Sequence, residues 1–266
     1  MSFDDLPDAA RRAVTSRAGT VRAARAAGGG ADTGVAALLD TGAGRVYVEG
    51  VPADHPHVVE RRREIALNPH LPDTCPRLLW HVEAGGWVLL GHEAVEGRPA
   101  DYTRPDDVVL VLAALKELQR VGAPCGVEVD TAPERWGKYA DDGEGGAFDG
   151  DTLLQADWAP ADVLIGAGRA RIVDWARPTR GAAWIDPFLL ALRLTAAGHS
   201  AAVAVSWVQR VASWRAAEPE TLHAFAVAVA RLWADIAAED PVPPKVALAE
   251  SAERLRAWLG VRWAAL

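Results

Sequence analysis

The sequence predicts an α+β chain, with a small antiparallel sheet in its N-terminal part and a larger, mainly helical C-terminal part. Three observations predict it. Short apolar runs separated by glycine turns fill much of the stretch from Val35 to Glu93. From Pro105 onward, apolar residues recur at helical spacing between clear start and stop signals. One further short hairpin, over residues 163–173, interrupts the helices and carries acidic residues at its two ends.

The elements follow in order. Residues 1–27 begin with Asp4 and Asp5 and continue with Arg11, Arg12, Arg17, Arg22 and Arg25, a charge order that complements a helix dipole and predicts a helix. Glycines at 28–30 and 34 break it. Val35–Leu39 and Arg45–Val48 then predict two strands about a turn at 41–44, with Glu49 following the second. Residues 56–67 predict a helix that contains Arg61, Arg62, Arg63 and Glu64, and the arginine run suits a solvated face. Residues 76–83 and 86–93 predict two more strands about the turn at Ala84 and Gly85.

Residues 105–121 predict a helix with Pro105 at its start, Asp106 and Asp107 in its first turn, and a stripe of Val109, Leu112, Leu115 and Leu118. Residues 132–150 predict a mobile loop in which Trp136 and Tyr139 either touch a ligand or anchor the loop. Helices are expected at 186–197, 201–217, 218–238 and 246–258, with Asp186 as a cap and a break at the prolines 241, 243 and 244. Trp207, Trp214, Trp233 and Trp258 fall on these helices among apolar neighbours, which suits core positions.

Composition sets outer limits. The chain has 266 residues, 50% of them hydrophobic, enough for one bilobed domain or two small ones with a real core. Its net charge of −8 disfavours non-specific nucleic-acid binding, which needs clustered cations. Cys75 and Cys125 have no metal or disulfide spacing, which suits a reducing cytoplasm. No apolar run suggests a membrane span, and the Arg-rich first segment lacks the apolar centre of a secretory signal.

The chemistry concentrates on the hairpin. Asp162 precedes its outgoing strand, Asp174 follows its returning strand, and Asp157 lies just upstream. Cross-strand pairing would set Asp162 opposite Asp174. Crowded carboxylates repel, and a divalent ion with oxygen ligands turns that repulsion into coordination.

The spacing Asp157-x-x-x-x-Asp162 matches a kinase catalytic loop with Asp at the final position, and Asp174 closes the hairpin as the kinase magnesium-binding Asp does. The chain thereby resembles the aminoglycoside phosphotransferase family, small-molecule kinases with a protein-kinase-like fold. That family's loop typically reads His-Gly-Asp-x-His-x-x-Asn and its later strand ends Ile-Asp-Trp. Here the loop is Gln155-Ala156-Asp157-Trp158-Ala159-Pro160-Ala161-Asp162 and the strand ends Ile172-Val173-Asp174-Trp175. The likeness extends more weakly over residues 45–194.

The resemblance implies a bilobal fold, with an N-lobe over residues 1–97 and a C-lobe over residues 98–266. It implies ATP and Mg2+ as cofactors and a small-molecule hydroxyl acceptor, with no nucleic-acid or membrane partner. Asp157 would orient and deprotonate the acceptor hydroxyl, and Asp162 and Asp174 would bind magnesium. The segment 28–34 would lie over the phosphates. His92, Glu93, Ala94 and Val95 would form the hinge whose backbone holds adenine.

One departure is serious. Glu49 occupies the place of the family's phosphate-binding lysine, and Glu64 matches the glutamate that pairs with that lysine. Two acids therefore face each other. Either an arginine, from Arg45 or the run 61–63, supplies the missing charge, or nucleotide binding is impaired. Three functions remain open: a small-molecule kinase, a pseudokinase that binds a protein partner or metabolite without turnover, and a biosynthetic enzyme reusing the cleft for another reaction.

Overall fold

The computed structural model describes residues 1–27 and 34–263. The chain divides into two compact units, the first comprising Met1–Gly97, Gly126–Glu128 and Arg171–Ala176, the second Arg98–Cys125, Val129–Ala170 and Arg177–Leu266. An antiparallel sheet dominates the N-terminal region and helices dominate the C-terminal region.

In the first unit, helix α1 (Asp8–Ala18) leads into strands β1 (Val21–Ala26), β2 (Val35–Thr41) and β3 (Gly44–Pro52), then helix α2 (Val58–Leu67) and strands β4 (Leu78–Ala84) and β5 (Trp87–Glu93). The five strands form an antiparallel sheet in the order β1-β2-β3-β5-β4. The expected N-terminal helix is shorter than charge order suggested. It stops at Gly19, whose φ of +83° suits glycine, and Arg22 and Arg25 lie on β1, where Arg25 pairs with Asp40 at 2.6 Å. The segment proposed to cover phosphates, apart from Gly34, lies outside the described residues.

Side-chain alternation sorts β3 into two faces. Val46 and Val48 join Val14, Leu39 and Leu89 in the core with α1. Tyr47 and Glu49 point the other way, beside Leu90 and His92 of β5 and towards α2. Glu49 therefore sits inside β3 rather than after it, because the strand runs on to Pro52. The sheet is tight enough to demand glycine in its centre. A Cβ on Gly50 would lie 2.2 Å from the Val88 carbonyl oxygen.

The second unit contains β6 (Arg98–Pro99), α3 (Pro105–Leu118), β7 (Asp130–Thr131), α4 (Ala132–Trp136), β8 (Thr152–Leu154) and β9 (Val163–Gly166). Strand β10 (Arg169–Ile172) returns the chain to the first unit, and β11 (Thr179–Gly181), α5 (Ile185–Ala196), α6 (Ala201–Val208), α7 (Ala212–Ala216), α8 (Pro219–Glu239) and α9 (Pro243–Trp263) follow. Strands β6, β9 and β10 make one small sheet and β7, β8 and β11 another. Phe225 of α8 is the hub of the core, with Trp136, Phe148, Trp184 and Phe188 edge-on to it at 5.0 to 5.2 Å.

Several sequence expectations change here. In α3 the buried stripe is Val108, Val111, Leu112, Leu115 and Leu118, and Val109 points outward. The supposed loop at 132–150 is built of α4 and short 3-10 turns. It opens with a capping box between Thr131 and Glu134 and is held by buried Trp136 and Phe148. The helix expected over 201–217 breaks between α6 and α7, where Val211 turns extended and is buried. Pro243 and Pro244 open α9 instead of interrupting the chain, since the first helical turn needs no internal donor. Of the four tryptophans assigned to the core only Trp214 is fully buried, whereas Trp136, Trp158, Trp175 and Trp184 are.

Helix α8 is, against expectation, long and apolar enough to match a membrane span, yet Leu222, Phe225 and Val229 on it are buried within the unit.

Gly50→Ala is expected to destabilise the protein by about 1–3 kcal/mol, the usual cost of overpacking. Urea denaturation measures it, and an unchanged midpoint would mean the strands can separate at no cost.

Candidate active site

The loop carrying Asp157 is fixed by buried polar groups of the second unit. Gln155 Oε1 accepts the amide N–H groups of Asp157 and Trp158 at 2.8 and 2.7 Å. Asp186, fully buried near the start of α5, accepts the amides of Gln155 and Ala156 at 3.1 and 2.9 Å. The Tyr102 hydroxyl donates to the Trp158 carbonyl at 2.8 Å. These contacts hold Ala156 and Trp158 at φ of 69° and 60°, the left-handed region that such residues rarely occupy. Every one of them anchors backbone beside Asp157 and leaves its side chain half exposed.

That side chain meets one cation. Arg193 of α5 donates to the Asp157 carbonyl oxygen at 3.2 Å and pairs with its carboxylate. Burial draws Arg193 down to about 10, which leaves it charged at neutral pH. Asp162, half-buried, closes the loop in a 3-10 turn.

The first unit holds the other acids. Arg61, only 4% exposed, reaches from α2 to Glu49 Oε2 and Glu64 Oε2, at 3.0 Å from each. His92 Nε2 lies 3.7 Å from Glu49 Oε1 and 3.6 Å from Glu64 Oε1. Burial pushes both glutamates up to about 7, with Arg61 acting against the rise. Burial alone would lower Arg61, but the charges of Glu49 and Glu64 outweigh it and raise its pKa. Asp174, exposed and left-handed at φ 59°, is near enough for its charge to act on Glu49, Glu64 and Arg61.

The sequence-selected residues thus fall into two groups. Glu49, Glu64 and His92 come together, with Asp174 in electrostatic range, in the first unit. Asp157 and Asp162 share a loop of the second. His92 and Glu93 pair within the sheet, opposite Tyr47 and Val46, while Ala94 and Val95 lie beyond the end of β5. Arg61 is buried rather than solvated, which corrects the reading of its run, while Arg62 is exposed as expected. Arg45 pairs instead with Asp40 and Glu96 at the surface.

Asp186 also needs correction. Trp184 holds the cap position of α5, and the Asp186 carboxylate serves the loop. Arg193 had no sequence signal, since one arginine in an apolar helix resembles any other.

Asp186 yields a pH dependence. Burial pushes it from its ordinary 3.8 up to about 6, despite the amides it accepts. For an acid raised in the folded state, its contribution to stability is complete below the unfolded value and is lost as pH rises through the folded one. Stability from this group should therefore fall between about pH 4 and pH 6. Asp186→Asn should flatten that part of the profile and lower stability by about 1–3 kcal/mol, because one amide loses its acceptor. Urea midpoints of parent and variant across that window test it, and parallel profiles would refute it.

No family model matches the sequence, and no curated protein matches it. Solved structures do, over nearly the whole chain. One is a thermostable mutant of aminoglycoside phosphotransferase APH(4)-Ia in ternary complex with ADP and hygromycin B, with 12% identity, a TM-score of 0.61, and coverage of 94% of this chain and 97% of that one. An aminoglycoside phosphotransferase from Alicyclobacillus acidocaldarius shows 14% identity, a TM-score of 0.60 and 96% coverage of each chain. Choline kinase LicA from Streptococcus pneumoniae shows 12% identity, a TM-score of 0.64, and coverage of 93% and 97%. With its antiparallel-sheet N-terminal region and mainly helical C-terminal region, the chain has the kinase-like fold that the aminoglycoside phosphotransferases and choline kinase share.

Proposed function

We propose that the protein is an ATP- and magnesium-dependent phosphotransferase acting on a hydroxyl of a small molecule. The observation that carries this reading is the backbone of the Asp157 loop, fixed from within by Gln155 and from below by Asp186. A structural turn has no need of such a foundation under one half-exposed carboxylate. A proton acceptor does, because general-base catalysis depends on placing that carboxylate against the acceptor hydroxyl.

In this reading Asp157 takes the hydroxyl proton while Arg193 fixes its orientation. Asp162 and Asp174 offer the hard oxygen donors that magnesium prefers, and would hold the ion. Bound magnesium neutralises charge on the transferring phosphate. Arg61 takes the place of the absent lysine: it pairs with Glu64 and brings a guanidinium beside Glu49. Ala94 and Val95, past the end of the ladder, keep the hinge role. Net acidity suits a cationic acceptor, and the similar structures include a hygromycin B complex and a choline kinase.

A second reading, a pseudokinase, has its own support. Arg193 engages the carboxylate that would act as base, and Glu49 stands where the resemblance would place a phosphate-binding lysine. Calorimetric titration with ATP and magnesium, followed by a coupled kinase assay over hydroxylated amines, separates the two. The phosphotransferase should bind ATP at micromolar levels, and Asp157→Asn should lower kcat by about 10²- to 10⁴-fold with nucleotide affinity retained. Absent binding in the parent, restored by Glu49→Lys, would establish the pseudokinase instead.

A further inference from the structure

The charge cluster beneath β3 and β5 has two sides. On one, Arg61 satisfies the Oε2 atoms of Glu49 and Glu64, each at 3.0 Å. On the other, the two Oε1 atoms face His92 Nε2 at 3.7 and 3.6 Å, too far for hydrogen bonds. That nitrogen is buried and has no hydrogen-bond partner. All three ligand atoms lie within 4.8 Å of one another. A buried imidazole nitrogen aimed at two carboxylate oxygens, and bonded to neither, leaves room for an atom between them.

We propose that Glu49 Oε1, Glu64 Oε1 and His92 Nε2 form a binding site for a transition-metal dication of the zinc class, with Arg61 as a positioning residue behind the two carboxylates. The spacing suits it. An ion seated among three atoms so placed lies near the roughly 2.0–2.2 Å that zinc takes to imidazole nitrogen and carboxylate oxygen. Mixed nitrogen and oxygen donors favour zinc or cobalt over magnesium and calcium, which prefer shells of oxygen. Charge balances as well. With both glutamates ionised, as ligation requires, Glu49, Glu64 and nearby Asp174 would carry three negative charges against the one positive charge of Arg61, and a dication in place of the protons that burial favours would bring the cluster to neutrality.

The protein also supplies what lies behind the ligands. Burial lowers the pKa of His92 and keeps the ring neutral, the state that binds metal. Arg61 fixes each carboxylate by its second oxygen, as outer partners of metal ligands do. Three protein ligands leave a fourth position open. The site rests wholly on the first unit and does not depend on the phosphotransferase reading.

The test uses the full chain, stripped with chelator and titrated with Zn2+ and then with Co2+ by calorimetry. One equivalent should bind at about micromolar Kd or tighter. His92→Ala and Glu64→Gln should each weaken binding by at least about tenfold, a minimum set by the effect of outer partners alone. The competing surface site is the half-exposed pair His55 and His57, whose rings lie 5.4 Å apart with Glu60 beside them. A His55→Ala/His57→Ala variant should keep the affinity.

X-ray absorption of the zinc-loaded parent makes the test independent of how the variants fold. It should show one imidazole among oxygen ligands and no sulfur. Absent binding in the parent, a shell with two imidazoles or a thiolate, or affinity lost in the double variant and kept in His92→Ala would each overturn the proposal.

Discussion

Two carboxylates buried side by side beneath a sheet would drive strand and helix apart, and the guanidinium of Arg61 prevents it. Desolvation of each glutamate costs several kcal/mol, and an opposite charge 3.0 Å away offsets part of that, leaving both acids raised. The sign of residue 49 thereby becomes compatible with the fold. A lysine there would pair with Glu64 directly. With glutamate at 49 the positive charge comes from the helix, and Arg61 ties α2 to β3.

The Asp157 loop follows the same economy. A buried acid, Asp186, is tolerated because two backbone amides converge on it, and those amides in turn hold a conformation that Ala156 and Trp158 would not choose. Strain of this kind costs of order 1–3 kcal/mol per residue and persists only where surroundings over-determine it. Gln155, Asp186 and Tyr102 do so from three directions. Gln155 supplies its share by hydrogen bonding alone, through one oxygen that accepts two amides.

Much of this was legible in the sequence where local chemistry decides. The strands of the first sheet as short apolar runs, the turn between β4 and β5, read at Ala84 and Gly85 and found one residue later at Gly85 and Gly86, and the start of α3 at Pro105 all follow from composition and turn chemistry. What depended on distant partners was not. Arg61 reads like Arg62 and Arg63 until the sheet above it is known, because an arginine run has no marker for the one member that turns inward. Asp186 looks like a cap by composition, and only the return of residues 155 and 156 to its carboxylate shows otherwise. The segment 132–150, rich in glycine and acids, resembles a loop because its order comes from Phe225 and Arg231, far along the chain.

The placement of the cation on α2 has a mechanical consequence. In kinases with a strand lysine, swinging the helix outward parts the lysine from its glutamate, and that separation serves as an off position. Here donor and acceptor sit three residues apart on α2 and travel together. An outward swing would carry the Arg61–Glu64 couple away intact and leave Glu49 alone against the sheet, an uncompensated anion that pulls the helix back. The Arg61–Glu49 pair thus spans the seam between α2 and the strand, and breaking it would cost the helix that tie to β3.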